Sequence, residues 1–192
     1  MQDNVLSIQE INEIERGYAH GAPTLGYAAK ACVKRWQFGL RDEETLLRLI
    51  FFLWYEITEP PFLTGLSAFK TKAATVDSLI EDYGDENKLS AEARFIIAVL
   101  GHGAYAYGLG DEREWQERSR RFFAEAAGSD PESRLFSDWK YLIGDADDSK
   151  NLKTLLEKEM HARFFGRGHM GDYLVHVLSG MIRPNRVAVD RI

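Results

Sequence analysis

The segment DEETLLRLIFFLWYEITEPP, residues 42–61, gives the clearest indication of the fold class. Its apolar residues recur at intervals of three and four, which is the period of an α-helix with one buried face. An aspartate opens the segment as a helix N-cap would, and the paired prolines close it because proline cannot continue a helix. The positions expected to face the core are Leu46, Leu47, Ile50, Phe51, Trp54 and Ile57.

The same period continues outward from this segment in both directions. Ser7 and Glu10 have the spacing of a capping box, and Ser90 fits an N-cap although Ala93 stands where the box would place glutamate or glutamine. Pro131 is expected at the first position of a helix. The remaining predicted helices cover residues 7–18, 24–38, 66–83, 91–109, 111–127, 131–143, 149–165 and 170–182.

No strand pattern of convincing length interrupts these helices. The sequence therefore predicts one all-α domain over residues 1–192, with about nine helices in antiparallel pairs and a short tail from about residue 184. Two architectures remain open: an array of stacked helix pairs and an irregular helical bundle.

Composition narrows the range of partners. The net charge is −6 and no basic stripe is present, which disfavours binding to nucleic acid or to an anionic membrane. Cys32 is the single cysteine, so no internal disulfide is expected, and the first residues lack the pattern of a secretory signal. We expect a cytoplasmic protein that needs no cofactor.

A short repeat favours the array. The form aromatic, any residue, apolar, glycine occurs at 36–39, 107–110 and 141–144, with glycines 71 and then 34 residues apart. Seven residues before each glycine stands a compact residue: Cys32, Gly103 and Ser137. A compact residue within a helix allows a second helix to approach closely, and a glycine at the helix end can turn the chain. Such units can stack into an array.

The stretch Asp111–Pro131, which ends FFAEAAGSDP, resembles the second helix of a tetratricopeptide repeat, and Ala91–Gly110 resembles the first helix. The resemblance implies a right-handed α-superhelix whose first helices line a groove for a protein or peptide. The residues placed there would be Lys30, Lys34, Trp36, His102, Tyr107 and Tyr141. The alternative is that the aromatic residues of this set pack between neighbouring helix pairs. The second helix is about one turn longer than in the family, and one helix stands between Pro60 and Ala91 where two would be expected.

A histidine cluster near the C-terminus offers a second hypothesis. His169, Asp172 and His176 share one helix face, and His161 precedes them, so these four residues are weak candidates for a metal or catalytic site. Their alternative roles are a core histidine at 176 and a helix-dipole partner at 172. A third hypothesis is a subunit that buries an apolar face by self-association. A binding scaffold without catalytic residues is the leading expectation.

Overall fold

A computed structural model describes residues 5–66, 75–102, 109–143 and 150–182 of the chain. All regular structure within these ranges is helical, which confirms the predicted all-α class. One 3-10 helix, Glu86–Lys88, accompanies the α-helices. The α-helices are α1 (Ile8–Ala19), α2 (Leu25–Gln37), α3 (Glu43–Thr58), α4 (Pro61–Thr64), α5 (Val76–Tyr83), α6 (Ala91–Gly101), α7 (Glu112–Ser129), α8 (Arg134–Ser137), α9 (Trp139–Leu142), α10 (Lys150–Phe164) and α11 (Gly168–Met181).

The caps that the sequence predicts open α1 and α3. The Glu10 amide donates to Ser7 Oγ at 3.2 Å, and the Ser7 amide donates to Glu10 Oε2 at 2.7 Å, which completes the capping box. The Thr45 amide donates to Asp42 Oδ1 at 2.8 Å at the start of α3. Local side chains thus satisfy amides that the first turn of each helix leaves without partners.

The cap of α6 is assembled from two distant segments. Ser90 Oγ accepts from the Ala93 amide at 3.1 Å, as an N-cap should. The carboxylate of Glu43, in α3, accepts from the Ser90 amide at 2.8 Å and from its hydroxyl at 2.7 Å. Glu43 therefore supplies the carboxylate that a capping box would draw from position 93, and it joins the starts of α3 and α6.

The expected helix start at Pro131 is wrong. Pro131 lies in a turn, and α8 begins after Ser133, whose side chain accepts from the Phe136 amide. Glu159 of α10 accepts from the Leu135 amide at 3.0 Å and from the Ser133 hydroxyl. Side-chain acceptors at the later position outweigh the preference of proline for the first helical residue.

The region after the paired prolines is broken more often than the period suggests. Pro61 starts the four-residue α4, which ends at Gly65 with a φ of +74°. The predicted helix 66–83 appears as α5 from Val76 onward, and residues 67–74 lie outside the described ranges. Ile57, expected in the core, is 50% exposed near the end of α3.

The helices pack in a closed order. α1 packs against α2, α2 against α3, α3 against α5 and α6, and α6 against α7. α10 packs against α8 and α11, and α11 returns to α1. In an open array each unit contacts only its neighbours, so contact between the first and last described helices favours the bundle alternative.

The paired phenylalanines of α3 and α7 lie in the core. Phe51, Phe52, Phe122 and Phe123 are all buried. Cys32 is also fully buried, and burial raises the pKa of its thiol, so the sulfur stays protonated and inert. These residues behave as packing groups.

The repeat is only partly visible in the packing. Cys32 lies within a helix contact as expected, but Ser137 is exposed at the end of α8, where its hydroxyl donates to the Pro131 carbonyl at 2.9 Å. The expectation that Ser137 lies at a close helix crossing is therefore wrong, because α8 ends there. Gly103 lies outside the described ranges, as does the tail from residue 184.

Candidate partner-binding surface

Two of the predicted groove aromatics are used in internal contacts. Trp36 is buried, and its Nε1 donates to Asp82 Oδ2 at 3.4 Å. The Tyr141 hydroxyl donates to the Ile182 carbonyl at 3.4 Å. Both residues fit the alternative in which these aromatics pack between helices.

His102 is the remaining aromatic groove candidate within the described residues. His102 is partly buried at the end of α6, and its ring lies 6.0 Å from that of Phe123. Tyr107 lies outside the described residues. Within the described ranges, Trp36, His102 and Tyr141 thus all make contacts inside the chain.

Lys30 and Lys34 lie on the side of α2 that faces away from its buried residues. Along α2 the buried side chains are Leu25, Ala28, Ala29, Cys32 and Trp36, which fall on one side of the helix. At about 100° per residue, positions 27, 30, 34 and 38 fall on the opposite side. We call Tyr27, Lys30, Lys34 and Phe38 the outer face of α2.

The outer face of α2 places two lysines between two exposed rings. Tyr27 is 66% exposed and Phe38 is 58% exposed. Lys30 Nζ lies 5.9 Å from the centre of the Tyr27 ring, and Lys34 Nζ lies 5.9 Å from the centre of the Phe38 ring. Each ring therefore has a cation within about 6 Å, the range of a cation–π contact.

A close backbone contact brings α4 beside the start of α2. A Cβ added at Gly26 would overlap the carbonyl of Gly65, so only glycine permits this approach. The adjoining α4 exposes Phe62 by 80% and Leu63 by 49%. Apolar surface thus continues near the Tyr27 end of the outer face of α2.

The arginine-rich stretch of α7 is electrically balanced. Arg118 pairs with Glu86 and Asp77, and Arg121 pairs with Glu86 at 2.9 Å. Glu86 and Arg121 also line an open depression of about 340 Å³ between α7 and the 3-10 helix. Arginines already paired with carboxylates leave little positive potential for an anion, so this is a solvated, salt-bridged face.

The four weak metal candidates do not form a cluster. His161, Asp172 and His176 are exposed, whereas His169 is partly buried. Among the described residues, no group of three or more histidine, cysteine or acidic side chains could hold a metal ion. His176 was expected to be the core histidine, and the structure gives that position to His169.

His169 packs as one ring among several. Its ring centre lies 4.6 Å from that of Tyr18, 5.1 Å from Tyr55 and 5.9 Å from Phe51. The Nε2 atom is buried and has no hydrogen-bond partner in the described part of the chain. Burial lowers the pKa of His169 to about 4, so a neutral imidazole serves the α1–α11 contact.

A buried ion pair joins α1 to α3. The side chains of Glu15 and Arg48 are both fully buried, and Arg48 Nε lies 2.8 Å from Glu15 Oε1. Arg48 also donates to the side chains of Asn12 and Glu44, and to the Arg167 carbonyl at 2.9 Å. The buried charge of Arg48 is tolerated only because the N–H groups of its guanidinium have hydrogen-bond acceptors.

Glu15 also holds the start of α11. Its Oε2 accepts from the Met170 amide at 3.3 Å, which supplies a cap from another helix. Gly168 has a φ of +67°, and a Cβ there would overlap the Glu15 carboxylate. Burial raises the pKa of the Glu15 carboxyl, while Arg48 and the Met170 amide oppose that rise.

The ion pairs continue outward from the buried pair. Arg167 pairs with Glu44 and with Glu92, the latter at 2.6 Å. Arg163 lies 3.5 Å from Glu92 and 2.9 Å from Glu159. The series, which we call the ion-pair chain, joins α1, α3, α6 and α10. Its charges have internal partners, so we assign it to stability and not to ligand binding.

Sequence reasoning missed Tyr27 and Phe38, although a signal was present. Their spacing from Lys30 and Lys34 follows the helical period on the face opposite Cys32. The aromatic-glycine repeat instead predicted Trp36 as the aromatic contact. The Trp36 ring is buried on the core side of the same helix.

No protein-family model, curated protein or solved structure matches this chain. None of the described helices combines the length and apolar character needed to cross a bilayer.

Proposed function

We propose that this chain is a helical protein–protein interaction module that binds a protein or peptide partner through the outer face of α2. The proposal keeps Lys30 and Lys34 from the predicted groove. It replaces the buried Trp36 with the exposed Tyr27 and Phe38 as the aromatic contacts.

One observation carries this proposal: two exposed aromatic rings lie on the same helix face, each beside a lysine. Aromatic side chains contribute strongly at interface hot spots because they bury a large area at little entropic cost. Arg118 and Arg121 of α7 and Arg167 of the ion-pair chain pair with carboxylates of this chain. We also propose a cytoplasmic location, supported by the single, buried cysteine.

Affinity capture from an extract of the source cells tests the surface. Changing Tyr27→Ser and Phe38→Ser together should reduce recovery of the bound partner at least about tenfold, because each hot-spot aromatic contributes roughly 1–2 kcal/mol. The matched control is Phe165→Ser, since Phe165 is 71% exposed at the end of α10. Circular dichroism melting should show that all three proteins remain folded.

Full retention of every partner by the double variant would refute the surface assignment. Light scattering addresses self-association: if the partner is a second copy, the wild-type dimer should dissociate in the double variant and persist in the Phe165→Ser control. A wild-type protein that is monomeric at all accessible concentrations excludes the homo-oligomer alternative.

A further inference from the structure

A run of exposed apolar residues follows the end of α3. Pro60, Pro61, Phe62 and Leu63 are consecutive in the chain and all exposed, and the exposed fraction of Phe62 reaches 80%. Ile57, three residues before Pro60, is 50% exposed. Single exposed apolar side chains are common on monomers, but a consecutive run at the surface is unfavourable unless it has a use. We call these five residues the α4 patch.

The α4 patch is anchored by the residues that follow it. Thr64 and Leu66 are fully buried, and the Leu66 amide donates to Thr64 Oγ1 at 3.1 Å. Gly65, between them, lies against the backbone of α2. The packing that buries Thr64 and Leu66 therefore leaves Phe62 and Leu63 in solvent. Because these contacts hold the patch in place, a surface that covers it orders few additional groups.

The α4 patch carries no charge. No charged residue occurs from Pro60 to Leu66, and Glu59, which precedes the run, is partly buried. A nucleic acid or a strongly charged peptide finds no counter-charge here, so the patch fits an uncharged apolar surface. Two copies of a chain with a net charge of −6 repel each other, and they can approach most closely where carboxylates are absent.

The area of the α4 patch matches that of a weak dimer. An unfolded chain exposes about 1.45 Å² per dalton, so the exposed parts of these five residues amount to roughly 400 Å². Two such patches in contact would bury about 800 Å² of apolar surface. Since about 60% of an interface is apolar, the whole contact would reach roughly 1,300 Å². Specific interfaces bury about 1,200–2,000 Å².

The best complement of the α4 patch among the described residues is the same patch on a second copy. Tyr27 and Phe38 are exposed but stand 11 residues apart along α2, and Leu155 and Phe165 stand ten residues apart on α10 and its end. Neither pair forms a continuous run. Two identical patches that face each other are related by a twofold axis, the commonest symmetry of homo-oligomers.

We infer that two copies of the chain associate through their α4 patches, in an isologous contact centred on Phe62 and Leu63. This inference goes beyond the proposed function, because the outer face of α2 contributes none of the residues of the patch.

Sedimentation equilibrium of the full chain, from about 1 to 500 µM, tests the inference. The wild type should show a monomer–dimer equilibrium with a Kd of roughly 1–100 µM. Changing Phe62→Ser and Leu63→Ser together should raise that Kd at least about tenfold, since four apolar side chains leave the contact between two copies. Raising NaCl from about 50 to 500 mM should not weaken the dimer, because salt screens only the repulsion between the acidic copies.

The matched control is Leu155→Ser/Phe165→Ser, which removes the same two residue types. Leu155 is 50% exposed and Phe165 71%, against 49% for Leu63 and 80% for Phe62. The control should keep the wild-type Kd, and circular dichroism melting should show that both variants remain folded.

Hydrogen exchange of the unaltered chain provides a second measurement that needs no variant. Between about 1 and 200 µM protein, exchange should slow in a peptide covering residues 57–66, because dimerisation covers α4. Exchange in a peptide covering residues 150–165 should stay the same.

A wild-type chain that stays monomeric over the whole concentration range would overturn the inference. The same holds for a dimer that survives the Phe62→Ser/Leu63→Ser change, that weakens equally in the control, or that dissociates as salt is raised. A dimer lost only on changing Tyr27 and Phe38 would place the contact on the outer face of α2 instead. Phosphatidylcholine vesicles probe a lipid surface: a monomeric chain that binds them through the α4 patch would also overturn the inference.

Discussion

At the level of single residues, His169 shows how packing can fix a protonation state. Four aromatic side chains surround its ring, and the buried Nε2 atom has no hydrogen-bond partner among the described residues. A charged imidazolium there would lose its hydration without a compensating acceptor. The folded protein therefore favours the neutral ring, with a pKa of about 4 against an ordinary value of 6.5.

Changing His169→Phe should reduce the acid sensitivity of folding. Because the pKa of His169 is lower in the folded than in the unfolded chain, its contribution is fully present above about pH 6.5 and is lost as the pH falls to about 4. Relative to the variant, the wild type should lose roughly 2–3 kcal/mol of unfolding free energy over that interval. Urea denaturation at several pH values measures the difference.

The control is His176→Gln, which alters an exposed histidine of the same helix. It should follow the wild-type pH dependence. Parallel curves for wild type and His169→Phe would show that protonation of His169 is not coupled to unfolding.

At the level of elements, helix starts were predictable where the cap is local. Ser7 and Glu10 are three residues apart, so the sequence itself displays the capping box of α1. The cap of α6 is different, because its carboxylate comes from Glu43, 47 residues before Ser90. No local pattern can reveal that pairing. The same reason explains the error at Pro131, where a carboxylate of α10 favours a later start for α8.

The Glu43–Ser90 contact should act as a joint between α3 and α6. Either Glu43→Gln or Ser90→Ala should lower the unfolding free energy by about 1 kcal/mol, the usual effect of losing a helix cap. Because the two side chains bond to each other, a double-mutant cycle should give a coupling energy of about 0.5–1 kcal/mol. Glu81→Gln, an exposed change in α5, provides the control. Strictly additive losses of unfolding free energy would show that the Glu43–Ser90 contact does not couple α3 to α6.

At the level of the whole molecule, the closing contact of α11 on α1 was not predictable. The sequence displays helices and a weak repeat, and a repeat suggests stacking in one direction. Closure depends on Glu15, Arg48 and Arg167, which are far apart in the chain. Arg48 interrupts the apolar run of α3, and that interruption was the one visible signal of a buried charge. Tyr27 and Phe38 of the outer face of α2 follow the helical period, but the sequence analysis did not select them.

Removing one member of the Glu15–Arg48 pair should lower the free energy of unfolding more than replacing both members with apolar residues. Arg48→Met alone leaves Glu15 buried without its counter-charge and should lower the unfolding free energy by about 3–5 kcal/mol. The Glu15→Leu/Arg48→Met double variant should recover a measurable part of that loss, since neither charge remains buried. Chemical denaturation of both single variants and the double variant gives the comparison. A double variant less stable than both single variants would contradict this account.

The long reach of the Glu15 contacts affects how the chain is made. The Met170 amide follows Glu15 by 155 residues, and the Arg167 carbonyl follows Arg48 by 119. At about 5–20 residues per second, a ribosome needs roughly 6–24 s to synthesise that second interval. During that interval the side chains of Glu15 and Arg48 can already pair, but the segment from Arg167 to Met170 that covers them has not yet been synthesised. Exclusion of water from this pair is therefore a late event of translation.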